Sequence, residues 1–104
     1  MTTVTLWRND KTNGVEACGH QYGAPAGQNL YCAAVSAMCM MLLNALLAEG
    51  AEMSRQEIEN GYILLECLRT ARTDAFFDML DAGMKSMAAC HPGKVRILHK
   101  QGVT

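Results

Sequence analysis

The first eighteen residues carry the alternating pattern of two β-strands. Val4 and Leu6 alternate with their neighbours, and this period of two predicts a first strand over residues 2–9. Asn9-Asp10 and Asn13-Gly14 favour a turn, because these residue types are common where a chain reverses. Val15 to Cys18 then predicts a second strand, antiparallel to the first.

A long uncharged run follows and predicts the main helix of the fold. The helix is expected from about Leu30 to Glu49, with Asn29 as its N-cap and Gly50 as its C-cap. Its residues are apolar on nearly every side, whereas a surface helix shows a polar face. Such a helix has to be covered by a sheet on one face and by another helix or a second subunit on the other.

The middle of the chain predicts a hairpin. Residues 52–59 and 62–69 flank Asn60-Gly61, a strong hairpin signal that favours a type I′ turn with positive φ at both positions. The second of these strands begins with the continuous apolar run Tyr62 to Leu65. This run is interpreted either as a strand buried on both faces or as one that meets a second subunit.

A second helix and a last strand complete the predicted fold. Apolar residues recur at helical spacing after Thr73 or Asp74, where the helix starts, and the helix ends before Pro92-Gly93. Val95 to Leu98 predicts the final strand. The order ββ-α-ββ-α-β predicts an α+β fold, with a mainly antiparallel sheet and two helices in layers. No linker or repeat divides the chain, so residues 1–104 are expected to form a single domain.

The composition is that of an ordinary globular domain. Half of the 104 residues are hydrophobic, 18% are charged, and the formal net charge is −1. The nine Lys and Arg residues are scattered along the chain, whereas a nucleic-acid-binding protein gathers such residues on one face. No direct nucleic-acid partner is therefore expected.

Five cysteines at irregular spacing are interpreted as free thiols. The chain shows no positively charged start followed by an apolar segment, so a cytoplasmic location is expected. Cys18 with His20 and Cys90 with His91 lack the Cys-x-x-Cys spacing of structural zinc sites, and neither a metal nor a cofactor is expected. Leu30 to Ala48 approaches the length of a membrane span but lacks flanking basic residues, and a helix buried inside the protein is preferred.

Cys32 and His20 form the candidate catalytic pair. Cys32 is expected in the first turn of the long helix, where unpaired backbone N–H groups stabilise a thiolate. The N–H groups of Cys32 and Ala33 would then form an oxyanion hole. His20 precedes Cys32 by twelve residues, and the loop between them, which contains Gly27, can fold back and bring the imidazole to the thiol. Ser36 lies four residues after Cys32, on the same helical face.

Residue types alone leave other interpretations of this pair open. A free cysteine is usually a small buried hydrophobic residue, and His20 would then be an ordinary loop residue. A thiol-redox protein is a third reading, and it requires a second cysteine near Cys32. The nearest, Cys39, lies two helical turns further, which is about 10 Å by helix rise.

A longer stretch of sequence around the pair resembles a known family. Gly19-His20, Gly27 and the run Cys32-Ala33-Ala34-Val35-Ser36-Ala37 are similar to the signature of the ribosomal-processing cysteine proteases, the Prp family. The predicted order of elements also fits that family across the chain. The resemblance implies that Cys32 is the nucleophile, His20 its general base and Ser36 the signature serine. It also implies that Gly19 is a hinge for the loop that follows.

The resemblance further implies a substrate and an assembly. Members of the family are homodimeric bacterial endopeptidases that remove a short N-terminal extension from a large-subunit ribosomal protein, the one that reaches toward the peptidyl-transferase centre. The chain is thus expected to be a single cysteine-protease domain acting by acyl transfer, with the peptide as its partner. In the loop, Tyr22 could contact the substrate and Asn29 could orient His20.

Three positions depart from the family pattern. Gln21 replaces the usual alanine after the histidine, Asn29 replaces an aspartate, and Tyr31 replaces an aliphatic residue just before the nucleophile. Asn29 keeps a capping oxygen but loses a charge, and the bulk of Tyr31 is expected to narrow or reshape the site. These changes motivate an alternative function, a non-catalytic dimeric ribosome-associated binding protein of the same fold.

Overall fold

Strands and helices follow one another in the order that the sequence predicts. The structure is a computed structural model that describes residues 1–19 and 26–101. Its elements are β1 (Thr2–Arg8), β2 (Thr12–Cys18), α1 (Ala26–Glu49), β3 (Met53–Glu59), β4 (Tyr62–Leu68), α2 (Ala71–Cys90) and β5 (Val95–Gln101). The predicted α+β fold is therefore confirmed.

The strands form one sheet in the order β3-β4-β2-β1-β5. β1 with β2, β2 with β4 and β3 with β4 are antiparallel, whereas β1 and β5 are parallel. Because β4 has a partner strand on each side, the apolar run that begins at Tyr62 is not available for edge pairing with a second subunit. Ile63, Leu64 and Leu65 are all buried within the chain, so this is a strand buried on both faces. The other interpretation, a contact with a second subunit, which the dimerisation of the resembled family favours, is wrong for this strand.

One face of the sheet carries both helices. Alternate residues of each strand point to this face, and together with the inner sides of α1 and α2 they form one apolar core, whose burial is the main force that stabilises the fold. The core consists of Val4, Leu6, Val15, Ala17, Val35, Cys39, Leu42, Leu43, Leu46, Ile63, Leu65, Cys67, Phe77, Leu80, Met84 and Val95. Cys39 and Cys67 are therefore core residues.

Asn13-Gly14 lies inside β2, and the prediction of a turn there is wrong. Gly14 pairs with Trp7 across the ladder, and a Cβ on Gly14 would overlap the indole ring. The indole ring packs over Gly14, and its Nε1–H donates a hydrogen bond to Glu66 Oε2 at 2.9 Å. Gly14 therefore gives the ring room. The chain reverses after Asn9, as Asn9-Asp10 predicts, and the Asn9 side-chain oxygen accepts hydrogen bonds from two backbone N–H groups.

The hairpin at Asn60-Gly61 forms as predicted, but with a different turn. Glu59 and Tyr62 are the last paired residues before the reversal. Gly61 has a φ of 81°, whereas Asn60 does not have a positive φ. A type I′ turn needs positive φ at both positions, so the predicted turn type is wrong. Only Gly61 takes the left-handed conformation, which a residue without Cβ adopts at little cost.

The long helix α1 begins earlier than predicted, at Ala26. Asn29 consequently lies inside the first turn of the helix, and its predicted role as N-cap is wrong. The predicted end is confirmed, because the helix stops at Glu49 and Gly50 follows with a φ of 73°.

The predicted cover of α1 on both faces is present on one face only in the described part of the chain. Val35, Cys39 and Leu46 are fully buried, whereas Leu30, Met41 and Leu47 are 66%, 54% and 52% exposed. Within residues 1–19 and 26–101, the segment Leu30–Glu49, with a mean hydropathy of 2.0, is the one helix long and apolar enough to cross a membrane. Core helices of soluble proteins pass the same test, and the inner side of α1 is packed in the core.

The second helix begins slightly before its predicted start, because Thr70 caps it. The Thr70 side chain accepts from the Thr73 N–H, and the Thr73 hydroxyl accepts from the Thr70 N–H, which is a reciprocal capping box. The helix ends at Cys90, before Pro92-Gly93 as predicted.

Asp74, in the first turn of α2, ties the helix to the sheet. It accepts two hydrogen bonds from Arg69, at 3.0 and 2.9 Å, and one from the fully buried Asn13 at 2.7 Å. Arg8 lies 3.6 Å from the same carboxylate. The hydrogen bonds from Arg69, followed by that from Asn13, lower the pKa of Asp74 to about 2.

Candidate active site

Cys32 lies where α1 passes the end of the sheet at which β1 begins and β2 ends. Its Sγ is 3.3 Å from Thr2 Oγ1 and 3.9 Å from the carbonyl oxygen of Gly19. Thr2 is the first residue of β1, and Gly19 directly follows β2. The cysteine is 7% exposed, so its thiol is held by the sheet end rather than displayed on the helix surface.

Gly19 is at a position that only glycine fits. Its φ of 102° lies in the region that side chains rarely adopt, and a Cβ there would lie 2.5 Å from the Met1 carbonyl oxygen. The next residue in the chain is His20. The structure thus places the residue that precedes the candidate base beside the candidate nucleophile. His20 itself, with Tyr22, lies outside the described residues, and the hinge role of Gly19 stays a prediction.

The start of α1 at Ala26 changes the electrostatic argument for Cys32. Cys32 is the seventh residue of the helix, and only the first four N–H groups of a helix lack a partner within it. The N–H groups of Cys32 and Ala33 are therefore used inside the helix. The predicted oxyanion hole from these two groups, and the predicted stabilisation of the thiolate by the first turn, are wrong.

The other predicted site residues are spread along α1. Gly27 and Asn29 lie in its first turn, before Cys32. Ala33 is exposed, and Ser36 is half-buried one turn beyond the thiol. The structure thus keeps Ser36 and Cys32 on one side of the helix, as predicted, while the supporting roles of these residues stay predictions.

Tyr31 joins the site to the end of α2, a contact that the sequence did not signal. Its hydroxyl lies 2.9 Å from His91 Nδ1, and the two rings are 4.8 Å apart between centroids. His91 follows α2, and its N–H bonds the Met87 carbonyl. His91 is exposed, and its partner is sixty residues away, so no local sequence pattern indicates this pairing.

Among the remaining cysteines, burial makes Cys39 and Cys67 poor nucleophiles. Burial raises the pKa of Cys39 to about 12, and burial is also the main cause that raises the pKa of Cys67. Cys18 is half-buried and Cys90 exposed, and all five thiols are free. Within residues 1–19 and 26–101, no group of three or more His, Cys, Asp or Glu side chains is placed to hold a metal ion.

Comparison with family models matches residues 1–96 to the family described as cysteine protease Prp. The match includes the sheet end with Thr2 and Gly19, the whole of α1 and the first residues of β5. No match was found among the curated proteins.

Solved structures share the fold over nearly the whole chain. SMU.848 from Streptococcus mutans is 23% identical with a TM-score of 0.78, covering 98% of this chain and 99% of that one. The essential ribosomal processing protease Prp from S. aureus, in complex with a substrate peptide, is 17% identical with a TM-score of 0.85, covering 96% and 100%. The same S. aureus protease with a covalently linked product peptide is 18% identical with a TM-score of 0.79, covering 96% of this chain and 100% of that one. At these identities the likeness establishes the fold.

Proposed function

The chain belongs to the cysteine protease Prp family, and we propose that it is an endopeptidase in which Cys32 is the nucleophile and His20 the general base. The observation that carries the proposal is the 3.9 Å between Cys32 Sγ and the carbonyl oxygen of Gly19. His20 directly follows Gly19 in the chain, so the residue bonded to the candidate base is the one that contacts the thiol. A nucleophile and its base have to come within hydrogen-bond reach of each other.

The proposed reaction is acyl transfer through a thioester. His20 accepts the thiol proton of Cys32, and the sulfur attacks the scissile carbonyl carbon. The carbon–nitrogen bond then breaks as His20 returns the proton to the leaving amine. Water, deprotonated by His20, hydrolyses the thioester and restores the thiol. The oxyanion of each step needs donors outside the helix interior, because the N–H groups there are already bonded.

The proposed substrate is the N-terminal extension of a large-subunit ribosomal protein, the one that reaches toward the peptidyl-transferase centre. The support is the family, together with a fold shared with a ribosomal processing protease that has been solved with a substrate peptide. In this proposal Gly27, Asn29 and Ser36 shape the peptide site along α1, and Tyr22 contacts the peptide. Tyr31, whose hydroxyl contacts His91 at the end of α2, narrows the peptide site on the side of α2.

Incubation of the purified chain with the unprocessed ribosomal protein tests the proposal. We expect one cut that removes the N-terminal extension, detected by mass spectrometry as two fragments whose masses sum to the precursor plus one water. A precursor that stays intact contradicts the proposal. Tight binding of an intact precursor would favour the non-catalytic binding protein instead.

The proposal includes a homodimer formed through the uncovered side of α1. Leu30, Met41 and Leu47 are more than half exposed on this side, and the helix carries no charged residue from Leu30 to Ala48. In a two-fold dimer the same patch faces itself. An uncharged patch meets its copy without like-charge repulsion, whereas a charged patch would not.

Met41→Glu is expected to weaken this dimer by about 100-fold or more, because each copy would bury a carboxylate in the apolar patch and the two charges would repel each other. Light scattering during size exclusion measures the molar mass of wild type and variant over a range of concentrations. Leu98→Glu is the matched control, because Leu98 is 43% exposed on β5 and faces away from the helices. A monomeric wild type, or a dimer lost equally in both variants, contradicts the interface.

A further inference from the structure

The Thr2 hydroxyl lies against the Cys32 sulfur. Thr2 Oγ1 and Cys32 Sγ are 3.3 Å apart, although thirty residues separate them in sequence. Thr2 is fully buried and Cys32 nearly so. This distance is suitable for a hydrogen bond to sulfur, and in this structure either atom could be the donor.

The backbone fixes the position of the Thr2 hydroxyl. Thr2 pairs in parallel register with Val95 of β5, and its N–H donates to the Lys94 carbonyl at 3.1 Å. It shares the helix-facing side of β1 with Val4, which belongs to the core. The sheet therefore fixes the position of the hydroxyl, and its contact with the thiol does not depend on a loop.

The direction of this hydrogen bond is determined once the sulfur loses its proton. A thiolate carries no hydrogen, so Thr2 can then act only as the donor. A hydrogen bond donated to a thiolate is charge-assisted and is stronger than one between neutral groups. Cys32 is the seventh residue of α1, so its own backbone N–H is bonded within the helix.

We propose that Thr2 is a positioning residue for the nucleophile, which donates a hydrogen bond to the Cys32 thiolate and holds the sulfur in one orientation at the sheet end. The inference rests on the proposed function, in which Cys32 is the nucleophile. It assigns to the first residue of β1 a role that Cys32 and His20 do not supply.

The test measures alkylation of Cys32 by iodoacetamide between pH 5 and pH 10, with mass spectrometry used to quantify that cysteine separately from the other four. Thr2→Val removes the hydroxyl and keeps the branched shape. We expect the midpoint of its alkylation profile to rise by about one pH unit, with about tenfold slower alkylation near neutral pH. Thr2→Ser keeps the hydroxyl and is expected to restore the wild-type midpoint.

Thr5→Val is the matched control, since Thr5 is also a buried threonine of β1 but points to the opposite face of the sheet. Its profile is expected to match wild type. If Thr2→Val fails to fold, Thr2→Ala gives the same comparison. A wild-type midpoint in the folded Thr2 variants, or a Thr2→Ser profile equal to that of Thr2→Val, overturns the inference.

This experiment separates the inference from the proposed function, because alkylation detects the thiolate and not peptide cleavage. An unchanged midpoint in Thr2→Val, beside cleavage that depends on Cys32, overturns the role of Thr2 and leaves the peptidase intact. If the midpoint shifts in Thr2→Val but the wild type cleaves nothing, the hydrogen bond is supported and only the proposed peptidase activity is contradicted.

Discussion

Cys32→Ala is expected to lower kcat/KM for cleavage of the ribosomal precursor by at least about 10³-fold, because the variant has no atom to form the thioester. Cys32→Ser is expected to lose nearly as much, since a hydroxyl paired with the same base is a far weaker nucleophile than a thiolate. Initial rates of product formation, measured by quantitative mass spectrometry on equal amounts of folded protein, give the ratio. Because Cys32 is 7% exposed, folding of each variant is checked by its thermal transition.

Cys90→Ser is the matched control for these variants. Cys90 is the exposed cysteine at the end of α2, and its replacement is expected to leave cleavage at the wild-type rate. His20→Ala is expected to lower the rate by about 10²–10⁴-fold, the usual contribution of a general base. Cleavage that survives in Cys32→Ala would end the assignment of the nucleophile, and equal losses in Cys32→Ala and Cys90→Ser would point to damage that is not specific to the site.

The order and type of the elements were predictable because the local signals agree with the tertiary fold. Val4 and Leu6 show the period of two that a strand with one covered face requires. Gly50 and Gly61 mark the end of a helix and a hairpin, and both have positive φ in the structure. Asn13-Gly14 gave the wrong result because the reason for that glycine is the Trp7 ring across the ladder. A cross-strand contact of this kind has no local signature.

The start of α1 was the most consequential error in the sequence analysis. Asn29 has good capping chemistry, and Gly27 is a poor helix former, so a helix beginning near Leu30 was expected. The structure instead begins the helix at Ala26, one residue after Pro25, and proline is common at helix starts. The four-residue difference moves Cys32 out of the first turn. The backbone donors that the sequence predicts for this thiol are therefore wrong.

The contacts of the candidate site were not predictable from spacing, because they join distant segments. Thr2 reaches Cys32 only after β1 has paired with β5 and α1 has packed on the sheet. Tyr31 reaches His91 only after α2 lies beside α1. The family motif predicts which residues react, and the sheet order determines which described residues surround Cys32.

Asp74→Ala is expected to lower the free energy of unfolding by about 2–3 kcal/mol at pH 7. It removes the acceptor of the buried Asn13 amide, which leaves that donor unpaired, and it removes the partner of Arg69. Asp74→Asn keeps an acceptor for Asn13 and loses the charge, so a smaller loss of about 1 kcal/mol is expected. Urea unfolding at constant ionic strength measures both values.

The lowered pKa of Asp74 predicts how the stability of the fold depends on pH. The pKa of Asp74 is about 2 in the folded chain and about 3.9 in an unfolded one. Its ionised form therefore stabilises the fold above pH 4, and this contribution is lost as the pH falls from about 4 to about 2. The difference in unfolding free energy between wild type and Asp74→Asn should shrink over that interval.

Asp78→Asn is the matched control for this pH effect, because Asp78 pairs with Arg8 at 2.9 Å but is 67% exposed. Solvent screens such a pair, and a change within about 0.5 kcal/mol is expected, with nearly the wild-type dependence on pH. A constant difference between wild type and Asp74→Asn from pH 7 to pH 2 would contradict the lowered pKa. In that case the contribution of Asp74 would come from hydrogen bonds that do not depend on its charge.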